Sequence, residues 1–166
     1  MARHAVRTYL EMTERSQLAP AEAPSSDVTL ERRDACPPDE WRRLYAEVGR
    51  DYHWIDRLVW TDEQIARHLA RPGLELWILR ERGEPAGYFE LQRHDDGAIQ
   101  IAYFGLLPHA IGRGLGKFML TRAVELAWEH GATRVWLHTS SLDHSSALSN
   151  YLARGFSIWK QETYEV

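Results

Sequence analysis

The chain has 166 residues, 44% of them hydrophobic, a formal net charge of −4 and a single cysteine. That is enough for one domain with a real core, and too apolar for a disordered chain. The acidic balance argues against general affinity for nucleic acid, and one cysteine excludes an intrachain disulfide.

The basic residues are nearly all arginine, with Lys117 and Lys160 as the two lysines, and they are scattered among acids rather than gathered in a tract. Cys36 stands before Pro37 and Pro38, a poor setting for a nucleophile. Residues 1–7 carry no secretory apolar run, and no apolar stretch is long enough to span a bilayer. A cytoplasmic location without membrane contact is the expectation.

In chain order, Val6 to Met12 reads as a short strand. Residues 13–27 follow as a flexible linker with Pro20, Pro24, Ser25 and Ser26. Residues 1–27 are therefore expected to form an arm, adding an edge strand to its own subunit or to a partner in a homodimer. The body, 28–166, opens with a strand at Val28–Glu31. A helix over Asp39–Val48 carries Trp41, Leu44, Tyr45 and Val48 on one side. After the aromatic loop Tyr52-His53-Trp54-Ile55, Thr61 and Gln64 form a capping box for a helix ending near Ala70, ahead of Pro72-Gly73.

Three strands come next, Leu74–Arg82, Pro85–Arg93 and Ala98–Leu107, with Asp96-Gly97 as a hairpin signal. Gly114–Glu129 is the clearest helix, with Leu115, Met119, Ala123, Leu126 and Ala127 as its apolar stripe and Gly131 beyond its end. A strand at Thr133–Thr139, a short helix at Ser145–Ala153 and two strands at Phe156–Lys160 and Thr163–Val166 complete the chain. There is no internal repeat.

The most informative segment is Ile111-Gly112-Arg113-Gly114-Leu115-Gly116-Lys117, between a strand and a helix. Bare glycine N–H groups approach an anion closely, and the helix start adds positive partial charge. A P-loop is excluded, because Ile111 stands where its first glycine belongs and Phe118 follows the lysine. A dinucleotide fingerprint is excluded because Lys117 occupies its third glycine position.

With these elements in this order, the chain resembles the GNAT superfamily of acyl-CoA N-acyltransferases. Two motifs carry the resemblance over about residues 28–166. The family's Arg/Gln-x-x-Gly-x-Gly/Ala motif maps to Ile111–Gly116. Its Asn-x-x-Ala-x-x-x-Tyr-x-x-x-Gly-Phe motif maps to His144, Ala147, Tyr151, Gly155 and Phe156. Ile111 replaces the usual Arg or Gln, and His144 the usual Asn. The resemblance implies an α/β (α+β) fold: a central mixed, mostly antiparallel sheet flanked by four helices, here with the extra N-terminal strand-like arm.

It further implies an N-acetyltransferase that uses acetyl-CoA as co-substrate and acetylates a primary amine, either a small molecule or a peptide amine, by direct attack in a ternary complex. A non-catalytic acyl-CoA-binding protein of the same fold is the alternative. Coenzyme A is expected on Phe104, Leu106, Ile111, Gly112, Arg113, Gly114, Leu115, Gly116, Lys117, His144 and Ala147. Arg113 and Lys117 would supply side-chain charge to the phosphates. Tyr151 is the expected proton donor to the departing sulfur. Glu90, mid-strand beside Tyr88 and Phe89, is a candidate base with a raised pKa. His138, which titrates near neutrality, is a second. Tyr52, His53 and Trp54 are expected to line the amine site. His138, His144 and Asp143 match no standard zinc spacing, so no metal is expected.

Overall fold

A computed structural model of the chain describes residues 3–52 and 54–166. Its strands are β1 (His4–Met12), β2 (Val28–Arg32), β3 (Leu74–Glu81), β4 (Glu84–Arg93), β5 (Ile99–Leu106), β6 (Val135–Ser140) and β7 (Ser157–Glu165). Its helices are α1 (Pro38–Gly49), α2 (Asp62–Leu69), α3 (Leu115–Glu129) and α4 (Ala147–Ala153). The strands form one sheet in the order β2-β3-β4-β5-β6-β1-β7. Every pairing is antiparallel except β5 with β6. Among the described residues, no helix is long and apolar enough to cross a membrane.

The local signals act as read. Pro38 opens α1, where its missing N–H costs nothing, and Asp39 and Glu40 occupy the first turn, facing the positive end of the helix. Thr61 and Gln64 close the capping box of α2 through reciprocal bonds of 3.2 and 2.8 Å. Helix α4 begins at Ala147, two residues later than expected, because the His144 ring accepts the Ser146 N–H at 3.1 Å and holds the preceding residues in a turn.

Each face of the sheet has its own core. On one, α3 buries Leu115, Met119, Ala123 and Val124 against Leu10, Phe89, Leu91, Ile101 and Leu137. On the other, α1 and α2 bury Trp41, Tyr45, Val48 and Ile65 against Leu76, Ile78 and Tyr88. The period-2 alternation of β4 decides which residue meets which core.

Three expectations change. β1 is not an edge strand: it lies between β6 and β7 of its own chain, with Thr8, Leu10 and Met12 buried. The linker is fastened to the body, since Ala19 N–H donates to the Arg154 carbonyl and Ala21 N–H to Thr121 Oγ1. The two closing strands are one, β7. Its polar middle needs no turn, because Gln161 and Glu162 face outward and bond to Thr8, Arg7 and Tyr9.

Leu10 is wholly buried at the centre of this inserted strand. Leu10→Ala should lower the unfolding free energy by about 2–5 kcal/mol in a urea titration. An edge arm would tolerate the change with no measurable loss.

Candidate active site

β5 and β6 touch at only two residue pairs, Ile99–Val135 and Gln100–Trp136, and then part. The cause lies on the other side of β5. Against β4 its register jumps so that Tyr103 and Phe104 together oppose Phe89, a β-bulge, with Tyr103 at φ +50°. The bulge bends β5 away from β6. Gly105 follows, and a Cβ there would meet Val48 Cγ1 at 2.5 Å, so only glycine lets α1 sit this close to the strand.

A cleft of about 540 Å³ opens beside the end of β5. Phe104, Leu106, Ile111, Gly112, Gly114, Gly116, Lys117, His144 and Ala147 all line it, as expected from the two motifs. Gly112 and Gly114 have φ of +85° and +79°, a backbone region that side chains resist. The start of α3 has no side-chain cap and no acid in its first turn, so its N–H groups are left for an anion.

Asn150 and Arg154 are among the wall residues that escaped the motif reading. The Asn150 amide donates weakly to the Gly116 carbonyl at 3.4 Å, while its own oxygen is buried without a partner among the described residues. Arg154 also lines the cleft. Both lie at helical spacing from Ala147, three and seven residues on, and that is the signal that would have found them.

A second cleft of about 310 Å³ occupies the gap between β5 and β6. Tyr52, Trp54, Phe104, Asp143 and Tyr151 belong to both clefts. Tyr52 and Trp54 are placed by the end of α1, their N–H groups donating to the Gly49 carbonyl. His53 lies outside the described residues. Asp56, also not foreseen, lines the second cleft and accepts from Tyr45 and Tyr103, each at 2.6 Å. Burial works to raise its pKa, but those two phenols and Arg57 lower it on balance.

A family model, described as the acetyltransferase (GNAT) family, matches residues 37–156. The chain belongs to the GNAT family. An uncharacterized N-acetyltransferase of Mycobacterium bovis is 28% identical over 106 residues, 64% of this chain and 67% of the relative. A mycothiol acetyltransferase of Mycolicibacterium vanbaalenii is 26% identical over 114 residues, 69% of this chain and 37% of that protein. Two solved structures share the fold. A GCN5-related N-acetyltransferase from Kribbella flavida has a TM-score of 0.69 at 20% identity, over 96% of this chain and 57% of that one. One from Sphaerobacter thermophilus has a TM-score of 0.72 at 16% identity, over 99% and 53%. This GNAT chain thus spans little more than half the length of those two chains.

Within the GNAT site, several expected residues stand elsewhere. Arg113 does not line the cleft; its guanidinium pairs with Glu81. The Leu115 side chain is fully buried in the α3 core, leaving only its backbone near the turn. Glu90 is the largest correction. It lines neither cleft and is wholly buried on the α1–α2 side of the sheet. Trp41 donates to it at 3.0 Å, His68 sits at 2.7 Å and Arg57 at 3.2 Å. Burial alone would raise its pKa, but His68, Arg57 and Trp41 outweigh that and lower it. It holds α2 and the α1–α2 loop to the sheet.

His138 does line the second cleft. Desolvation at the cleft wall first and the Arg7 charge second lower its pKa, although the residue as a whole is solvent-exposed, and this favours the neutral ring at pH 7. Tyr151 sits in both clefts, with its pKa raised by burial and by the charge of Asp143, so it holds its proton. Among the described residues its hydroxyl has no hydrogen-bond partner, and no three His, Cys, Asp or Glu side chains are grouped to hold a metal.

The sign of the Glu90 effect follows from its lowered folded pKa. Its contribution is complete above the ordinary glutamate value of 4.5 and is lost as pH falls through the lower folded value. Glu90→Gln should cost about 3–5 kcal/mol at pH 7, because Arg57 is left without its counter-charge and His68 and Trp41 without their charged acceptor. It should also flatten the acid limb of stability against pH. Urea titrations from pH 3 to 8 check both.

Proposed function

We propose that this chain is an N-acyltransferase that carries an acetyl group from acetyl-CoA to a primary amine by direct attack, with both bound at once. The observation that carries the reading is the meeting of two clefts at one wall. One is built for a phosphate-bearing tail, the other for an acceptor, and a protonated tyrosine stands between them. The family and the relatives named N-acetyltransferase support the same class of reaction.

The first cleft suits coenzyme A by its donors. The N–H groups of the Gly112–Lys117 turn face a pyrophosphate, with Lys117 adding charge. The unpartnered Asn150 oxygen accepts an amide N–H of a pantetheine arm, taking over from the asparagine that His144 replaces. When bound, acetyl-CoA supplies an acyl carbon activated as a thioester.

The residues then divide the proton work. Neutral His138 takes a proton from the ammonium, directly or through one water, freeing the nitrogen lone pair. The carbon–nitrogen bond forms, the nitrogen sheds its second proton and the carbon–sulfur bond breaks. Tyr151 gives its proton to the sulfur and is refilled from solvent. The net release is one proton per amine acetylated. A polarising contact for the carbonyl oxygen comes from backbone N–H groups of β5 on the side where its pairing with β6 has ended.

Thiol release measured over a panel of primary amines tests this. Tyr151→Phe should reduce kcat about 10²-fold with coenzyme A affinity unchanged. Coenzyme A binding without thiol release on any amine would instead make the chain an acyl-CoA sensor. In calorimetry, Lys117→Ala should weaken coenzyme A about tenfold, close to 1.4 kcal/mol, and Arg113→Ala should not. Equal effects of the two would show that Arg113 leaves Glu81 to reach the phosphates.

A further inference from the structure

The acceptor nitrogen must reach the thioester where the two clefts meet. Five residues wall both: Tyr52, Trp54, Phe104, Tyr151 and Asp143. Four are aromatic rings. Asp143 is the one charged group among them.

Its two oxygens do different work. Oδ2 accepts from Thr139 Oγ1 and from the Ser140 N–H, both at 2.8 Å, which fixes the carboxylate to the end of β6. Among the described residues, Oδ1 accepts from Trp54 Nε1 alone, at 3.2 Å, and keeps a lone-pair direction for a further donor. Trp54 in turn closes the ring wall, edge-on to Tyr103 at 5.3 Å. Asp56 does not compete for this role. It lines the second cleft alone, and Tyr45 and Tyr103 each occupy one of its oxygens.

We infer that Asp143 holds the attacking amine, as an ammonium on Oδ1, and that the rings of Tyr52, Trp54, Phe104 and Tyr103 take an apolar or aromatic body attached to it. This rests on the acetyl-transfer reading above and names its acceptor class. The chemistry is a charge-assisted hydrogen bond in a half-enclosed site, beside ring faces that themselves favour a cation. Placed so, the nitrogen stands beside Tyr151, the group that serves the sulfur. Burial first, and the same negative charge second, keep Tyr151 protonated.

A difference in charge separates this role from a structural one. The probes are 2-phenylethylamine and its uncharged counterpart 2-phenylethanol, titrated into the coenzyme A-saturated protein by calorimetry. The wild type should prefer the amine by about tenfold or more. Asp143→Asn removes the charge and keeps one oxygen for the Thr139 and Ser140 donors, with an amide NH2 in place of Oδ1, and should bring the ratio near one. If the substitution merely loosens the loop, both probes weaken together and the ratio stands, which overturns the inference. So does a wild type that shows no preference. A separate titration with coenzyme A alone keeps the two readings apart. Normal affinity there with an unchanged probe ratio sinks only the role of Asp143. No affinity sinks the acetyl-transfer reading, and this inference with it.

Discussion

The parting of β5 from β6 is the constraint on which the rest of the molecule depends. Parallel strands that stayed paired would close the sheet and leave no gap for the second cleft. Here the pairing ends after Gln100 and Trp136, because the bulge at Tyr103 and Phe104 turns β5 aside. The cost is a non-glycine residue at positive φ, of order 1–3 kcal/mol, and the neighbours of Tyr103 offset it. Its hydroxyl is held by Asp56, and its ring is covered by the Arg57 guanidinium at 3.8 Å.

That support extends into the buried network around Glu90. Arg57 faces Tyr103 on one side and Glu90 on the other, so the bulge and α2 share one cation. A carboxylate deep in the sheet would be expensive alone, but three donors satisfy it. The network therefore acts at one remove from the chemistry. It fixes the α1–α2 loop, and that loop places Tyr52, Trp54 and Asp56 over the gap.

β1 stabilises the far half. Inserted between β6 and β7, it pairs along most of the length of both and holds β6 from the side opposite the one β5 has left. A strand that has lost one neighbour to make a cleft needs the other. The end of β6 carries His138 and, through Thr139 and Ser140, the grip on Asp143. An N-terminal segment that looks dispensable in the sequence thus backs the wall of the site.

Local chemistry was legible in the residues themselves. The capping box of α2, the proline start of α1, the glycine turn before α3 and the alternation of β4 depend on contacts a few residues long, and each folded as its spacing implied. Most residues of Ile111–Lys117 and several of His144–Tyr151 line the first cleft, each stretch being contiguous in the chain. What the sequence could not decide were the long-range partners. Arg113 and Glu81 are 32 residues apart, and Glu90 meets Trp41 and His68 from two different helices. A mid-strand carboxylate reads alike whether it faces a cleft or a buried ion pair. Nor can alternation tell an edge strand from an inserted one, since both show one apolar face; only the sheet order placed β1 inside. The sequence by itself determined most of the elements and the glycine turn, because hydrogen bonds and dihedrals within a segment decide them. Tertiary structure alone decided where the carboxylates stand, which strands part and which residues share a wall, because those follow from packing between segments far apart in the chain.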